Sequence, residues 1–415
     1  MSLLGLRLAA TAVALWVMAM ASMVAVADAL PDSTWVALNA LPHQGRVAVF
    51  ALAVDPANNQ SLLAGNSDGS LLRSTNGGTT WSTAHTGKAA PTTIAFSPYT
   101  SGLVLAGTRG GGAFLSRDGG ASWTAAQGLE GRTVRVFAFS LTIVAAGTDR
   151  GVYTSTDGAS WTQSGLTNRS IDALAVEAIH APVRMVAGSD AQVSGGSMAL
   201  YQSVDDGTTW TTFTPPLTGT IPVRFAAGPL PPTGNVRPLL VGTNTGLFLS
   251  LDNGATFNPL SGGALLPTTD YTQIAFITDH SDRFYVASDG GGSKSGGLWR
   301  SDDGGQSFRS LQPPQASVTA LAMSNDEQPT LYVATFLPSN HVASLWTYHD
   351  TGGAPQGPAS SETPAASGAR PSHPGDASIV GQILAAPQLP YVALGLAAVI
   401  LVLTAVVAHL RGRYR

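Results

Sequence analysis

Between residues 51 and 350 the chain alternates short apolar runs with clusters of Gly, Asp, Asn, Ser and Thr. Runs this short, bounded by turn residues, predict strands joined by hairpins. Three patterns recur in a fixed order. The first is a strand rich in small apolar residues: Ala51-Leu52-Ala53-Val54, Ala95-Phe96-Ser97, Ala138-Phe139-Ser140, Ala173-Leu174-Ala175-Val176, Ala275-Phe276 and Ala320-Leu321-Ala322-Met323, with Phe225-Ala226-Ala227 the loosest copy. Small side chains in a first strand suit a crowded central channel. The second is a Gly-bearing turn read as the hairpin between second and third strands: Ala64-Gly65-Asn66-Ser67-Asp68-Gly69, Ala106 to Gly111, Ala146 to Gly151, Ala187-Gly188-Ser189-Asp190, Val241 to Gly246 and Ala287-Ser288-Asp289-Gly290.

The third pattern is a turn of the form Ser-x-Asp/Asn-x-Gly-x-Ser/Thr-Trp/Phe. It occurs at Ser74–Trp81, Ser116–Trp123, Ser155–Trp161 (one residue shorter), Ser203–Trp210, Ser250–Phe257 and Ser301–Phe308, with spacings of 42, 39, 48, 47 and 51 residues. A period in the forties with strands between the copies marks one supersecondary unit repeated as a propeller blade. A degenerate seventh unit runs from Val333-Ala334-Thr335 through Ser344-Leu345-Trp346 to Asp350-Thr351-Gly352-Gly353, and it lacks a clear outer strand. Asp32-Ser33-Thr34-Trp35 looks like the end of such a turn without its body. The expectation is an all-β, single seven-bladed β-propeller whose ring is closed by the N-terminal strand, pairing edges that would otherwise be exposed.

In the repeated turn an Asp or Asn oxygen accepts nearby backbone N–H groups, Gly takes the positive-φ position, and the closing aromatic supplies apolar area to bury between sheets. The residues assigned to this role are Asn76, Trp81, Asp118, Trp123, Asp157, Trp161, Asp205, Trp210, Asp252, Phe257, Asp303 and Phe308. These turns resemble the Asp-box, or BNR, repeat of the sialidase-like propellers. The resemblance implies that they join the third and fourth strands of each blade, on the face away from the binding site. Over residues 30–350 the succession of Gly-Thr-x-x-Gly and Ser-x-Asp-x-Gly-x-Ser/Thr-Trp is most similar to the single-ring propellers related to the photosystem II stability and assembly factor. That likeness implies a noncatalytic platform that docks another protein, often a membrane protein during assembly.

The ends change the picture from a soluble ring to an anchored one. Leu8 to Ala27 carries no charge, follows Arg7 and ends at Ala27-Asp28-Ala29, so residues 1–29 read as a secretory signal or, given the 20-residue apolar length, an uncleaved anchor. Residues 382–410 read as a transmembrane helix region, with its dense apolar run from Tyr391 to Ala408, and 411–415 as a basic cytoplasmic tail. Residues 351–381, rich in Pro, Ser, Ala and Gly, read as a disordered tether. Arg7 and the terminal Arg411, Arg413 and Arg415 satisfy the positive-inside rule only if everything between is extracytoplasmic. The predicted location is therefore the cell membrane, single-pass, with the C-terminus cytoplasmic. Arg in excess of Lys, with abundant Ala and Gly, points to a GC-rich bacterial genome.

The chain has no Cys, which excludes disulfides and thiolate metal sites. Residues 30–350 hold 16 Lys and Arg against 22 Asp and Glu, without a basic stripe, which argues against nucleic acid. His43, His85, His180, His280, His341 and His349 are isolated, no calcium loop is present, and no Gly-rich turn leads into a helix, so no metal or other cofactor is expected.

Glycosidases need two facing carboxylates, and sialidases a Tyr nucleophile with three Arg on the sugar carboxylate. Here the ring offers only Glu130, Glu177 and Glu327 as glutamates, and Gly45-Arg46-Val47-Ala48-Val49-Phe50 replaces the Arg-Ile-Pro segment of sialidases. The face opposite the Ser turns should carry the contacts. From its hairpins come Asp68, Arg109, Asp149, Arg150, Asp190, Asn244, Asp289 and Lys294, and from the starts of first strands Arg46, Arg135, Asp172, Arg224 and Gln273. Arg135, Asp172, Arg224 and Gln273 replace small or apolar residues at comparable positions and are expected at the channel mouth. The Gly/Ser segments Gln192–Gly196 and Gly291–Gly297 lengthen two hairpins on the same rim. The function expected is a noncatalytic, membrane-anchored interaction platform whose partner is a membrane or extracytoplasmic protein. The alternative is a carbohydrate-active enzyme or a glycan-binding receptor.

Overall fold

The computed structural model describes residues 32–38, 41, 47–178, 182–190, 197–213, 217–266, 268–290, 296–337 and 342–355. Its strands form seven four-stranded antiparallel sheets. In six of them four consecutive strands pair in sequence order, as in Val49–Asp55, Asn58–Asn66, Ser70–Ser74 and Ser82–Thr86 for blade 1. In the seventh, Val318–Met323, Thr330–Leu337 and Val342–His349 take Trp35–Ala37 as their outer strand, with Trp35 opposite Tyr348 and Ala37 opposite Trp346. The ring is a seven-bladed β-propeller closed by its N-terminal strand.

Strand alternation fixes two faces. Each first strand starts, and each second-to-third hairpin lies, on one face, called here the hairpin face. The third-to-fourth turns, which are the Ser turns, lie on the other. Val342–His349 is a third strand and ends on the Ser-turn face, where Trp35–Ala37 begins, so the chain both enters and leaves the ring there.

The core is seven apolar clusters, each between two adjacent sheets. Ala51, Ala53, Leu63 and Leu71 of blade 1 meet Ile94, Phe96, Val104 and Ala106 of blade 2. Ala320 and Ala322 of blade 7 meet Val49 and Leu52 of blade 1. The small residues of the first strands are thus small for a reason other than channel lining: they pack against the next blade, where sheets converge toward the axis.

The Ser turns explain their own composition. In blade 2 the buried Ser116 hydroxyl donates to Asp118 Oδ1 at 2.8 Å and accepts the Gly120 amide at 2.8 Å. Asp118 Oδ1 accepts the amides of Ala121 and Ser122, and the Trp123 indole donates back to the Gly120 carbonyl at 3.1 Å. The Ser-to-Gly and indole bonds recur around Ser74, Ser155 and Ser203, and the Ser-to-Gly bond around Ser250 and Ser301, which end in Phe. Gly120 has φ +84°, and a Cβ there would lie 2.6 Å from Leu63 of the preceding blade. Each closing aromatic joins the cluster shared with the preceding blade, as Trp161 does with Leu105 and Leu115.

Residues 1–31 and 356–415 lie outside the described residues, and with them the expected signal, the membrane helix, the tail and all but the first residues of the tether. No helix among the described residues is long and apolar enough to cross a membrane.

Candidate functional site

The first strand of six blades slips register one residue after it starts. Val134 pairs with Thr148 but Val136 with Gly147, and the same slip occurs at Val49/Ala51, Pro91/Thr93, Ile171/Ala173, Pro222/Arg224 and Val318/Ala320. The extra residue of such a bulge is unpaired and redirected. Here it is Phe50, Thr92, Arg135, Asp172, Val223 or Thr319, on the hairpin face, and three of these residues reach the next blade. Thr319 donates to the Val49 carbonyl at 2.8 Å and Thr92 to the Val134 carbonyl. Arg135 and Asp172 are bulge residues of adjacent blades, and their Nε and Oδ1 lie 2.8 Å apart.

The four residues grouped from the sequence therefore fall into two registers. Arg135 and Asp172 occupy the bulge. Arg224 and Gln273 sit one residue later, paired with Gly242 and Ala287, at the position held elsewhere by Ala51, Thr93, Val136, Ala173 and Ala320. The slip moves the pairing without leaving a mark in the composition of the strand, so the two positions look alike in the sequence.

At the Arg135–Asp172 pair a third group converges. Asp190, at the start of the blade 4 hairpin, hydrogen-bonds with the Asp172 side chain, and the Ser170 hydroxyl lies 3.3 Å from Asp172 Oδ1. Burial and the Asp190 carboxylate push the Asp172 carboxyl up to about 6, against the opposing pull of Arg135. Two carboxyls thus stand in contact beside one guanidinium. Arg224 contrasts with this: it is half-buried on an innermost strand, has no ion-pair or hydrogen-bond partner among the described residues, and burial pushes its guanidinium down. It stays charged, because an unperturbed Arg titrates far above neutrality. The Gln273 amide points to the Thr319 carbonyl of blade 7, 3.5 Å away.

The hairpin acids have structural partners. Asp149 Oδ1 accepts the Thr133 amide at 3.0 Å, and Asn244 Oδ1 accepts those of Thr220 and Ile221 at 3.0 and 3.2 Å. Each clips a hairpin to the segment leading into its own first strand. Asp68 holds Ser70, and the half-buried Asp289 is likewise engaged. Arg109 and Arg150 are exposed at the hairpins of blades 2 and 3. Arg46, Lys294 and the segments 191–196 and 291–295 lie outside the described residues.

Two glutamates also have roles that composition did not disclose. Glu130 accepts the Gly128 amide, and the buried Glu177 pairs with Arg184 at 2.8 Å on the Ser-turn face. Burial pushes the Glu177 carboxyl up while Arg184 opposes it. No group of three or more His, Asp or Glu able to hold a metal is present among the described residues.

The chain matches no protein-family model and no curated protein. Solved structures do resemble it. YCF48 from Cyanidioschyzon merolae is 15% identical with a TM-score of 0.53, over 76% of this chain and 99% of that one. YCF48 bound to D1 peptide is also 15% identical at 0.53, over 77% and 96%. U3-55K is 13% identical at 0.54, over 77% and 99%. At these identities the likeness is one of fold.

Proposed function

We propose that the ring is a membrane-anchored, extracytoplasmic platform that docks another protein on its hairpin face. The observation that carries this reading is the mixed charge on the hairpin face of blades 2 to 4: the Arg135–Asp172–Asp190 group, with exposed Arg109 and Arg150 on the hairpins of blades 2 and 3. Such a surface suits a partner with interspersed charges and polar backbone. Arg224 and Gln273 extend it toward the axis. The Ser turns, read as Asp-box repeats, bind their carboxylates internally and leave the recognition role to the opposite face. The D1 peptide bound to YCF48 shows that a ring of this fold can carry a polypeptide ligand.

The anchoring half of the reading rests on the uncharged stretch Tyr391–Ala408 followed by three Arg residues, and the extracytoplasmic half on Leu8–Ala27 read as a secretory signal. The second reading, a glycoside hydrolase, draws on the two carboxyls Asp172 and Asp190. They are in hydrogen-bond contact, closer than the ~5–9.5 Å that retaining or inverting chemistry places between its acids. Two carboxyls in direct contact leave no room between them for a glycosidic bond, which fits recognition better than acid–base work.

The test is affinity purification of the full-length protein from its native membrane in mild detergent, beside the double variant Arg135→Ala, Arg224→Ala. One stoichiometric membrane protein recovered with wild type and lost with the variant is the outcome expected. Equal recovery with both would move the contact off this face, and turnover of a glycoside panel by the purified ring would favour the hydrolase.

A further inference from the structure

On the Ser-turn face the ring exposes apolar side chains that its fold does not use. Tyr99 and Leu141 lie in the first-to-second turns of blades 2 and 3, Val204 and Leu251 are second residues of the Ser turns of blades 4 and 5, and Leu230 lies in the first-to-second loop of blade 5. Leu251 is 61% exposed, Val204 56% and Leu230 50%. Among the described residues, Phe50, Ile221 and Leu337 are the exposed large apolar residues on the hairpin face.

The loop that carries Leu230 runs from Gly228 to Pro238, the longest first-to-second connection among the described residues. Pro229, Pro231 and Pro232 flank Leu230 and fix much of its backbone, so presenting that side chain costs little conformational entropy. The loop extends from blade 5 toward blade 2: burial raises the Tyr99 hydroxyl pKa, and the Arg237 charge lowers it. Arg237 also donates to the Gly228 carbonyl, which ties the base of the loop.

This is the face by which the chain enters and leaves the ring. Asp32 pairs with His349 at the end of the third strand there, and beyond His349 the chain leads through Asp350 toward the segment read as the tether. We infer that the Ser-turn face is the membrane-facing side of the ring and that Leu230, Leu251, Val204, Tyr99 and Leu141 contact the headgroup layer of the bilayer. The occupant is a zwitterionic lipid surface. The turn carboxylates Asp118, Asp205, Asp252 and Asp303 stand on this face with Arg117, Arg237 and Arg283 among them, so it offers no basic excess to anionic headgroups, while exposed Leu, Val and Tyr side chains partition into a neutral interface.

The inference rests on the membrane-anchored reading, and one preparation separates the two. Because the chain has no Cys, a single introduced thiol is unique. Full-length Leu230→Cys, Leu251→Cys and, on the hairpin face, Lys88→Cys are labelled with a small fluorophore and reconstituted into phosphatidylcholine vesicles. Flotation with the vesicles tests the anchor alone. In floated protein, quenching by lipids brominated near the headgroup should be about threefold stronger at positions 230 and 251 than at 88. Equal quenching at all three, or stronger quenching at 88, overturns the orientation. Protection of 230 and 251 from an aqueous quencher without lipid quenching assigns the face to a protein or a second copy and overturns the lipid contact. Failure to float overturns the anchor on which both rest.

Discussion

At the scale of the residue, the Ser turn divides its work between a buried hydroxyl and an exposed carboxylate. Ser116 is 2% exposed and is the acceptor of the Gly120 amide, so Ser116→Ala strands a buried donor and should cost about 1–3 kcal/mol. Asp118 is solvent-exposed, and Asp118→Ala should cost about 1 kcal/mol. Urea denaturation of both variants checks the order; a larger loss for Asp118→Ala would contradict it. The carboxyl is pulled down to about 2, chiefly by Ser122, and Asp157, Asp205 and Asp252 are lowered chiefly by the equivalent Ser160, Thr209 and Thr256. Groups with depressed folded-state values add stability above the ordinary carboxylate range and lose it as pH falls through their folded values.

Asp172 works in the opposite sense. Its folded-state value of about 6 lies above the unfolded ~3.9, so the folded state binds the proton more tightly and stability from this group falls as pH rises from about 4 to about 6. The stability difference between Asp172→Asn and wild type should shift by about 2–3 kcal/mol in favour of the variant between pH 4 and pH 8. Denaturation across that range is the check. A constant difference would mean that Arg135 holds Asp172 ionised throughout.

At the scale of the element, closure depends on few side chains. Trp35 is fully buried, its indole donates to the Leu311 carbonyl at 2.8 Å, and its ring lies 4.8 Å from that of Tyr348. Trp35→Ala should cost about 3–5 kcal/mol. Next to this strand the degenerate seventh turn is held by charge: Arg300 pairs with Asp350 at 2.8 Å and Asp302 at 2.5 Å, and the Tyr285 hydroxyl donates to Asp350 at 2.7 Å. Arg300→Met leaves Asp350, 1% exposed, without its cation and should cost about 3–5 kcal/mol. Thermal unfolding of either variant should show lowered cooperativity or a lowered midpoint, and an unchanged melt would mean that the closing strand carries little of the ring's stability.

Period and turn chemistry made the strands, the seven blades and the closing strand legible, because Ser, Asp, Gly and Trp are each demanded by a local bond. The site was legible only in part. Asp149 and Asn244 looked like candidates because hairpins select them, and the structure shows them clipping backbone amides. The slip that brings Arg135 against Asp172 and shifts Arg224 and Gln273 by one residue is a pairing property that no single strand encodes. Arg300 with Asp350 joins residues fifty positions apart, which spacing alone could not reveal.

At the scale of the whole molecule, the two faces have different chemistry. The hairpin face gathers Arg109, Arg135, Arg150, Asp172 and Asp190, while the Ser-turn face carries the points where the chain enters and leaves the ring, the internally bonded turn carboxylates, the Glu177–Arg184 and Arg300–Asp350 pairs and the exposed Leu and Val side chains. A partner docked on the hairpin face would stand clear of the side from which the chain leaves. The measurement that tests this most directly is site-specific cross-linking in native membranes from single thiols at Lys88→Cys and Leu251→Cys, in the full-length chain, using a short thiol-directed photo-cross-linker. The account predicts a discrete protein adduct from position 88, abolished when Arg135→Ala is added, and none from position 251. An adduct from 251 alone, or one from 88 that survives Arg135→Ala, would contradict it.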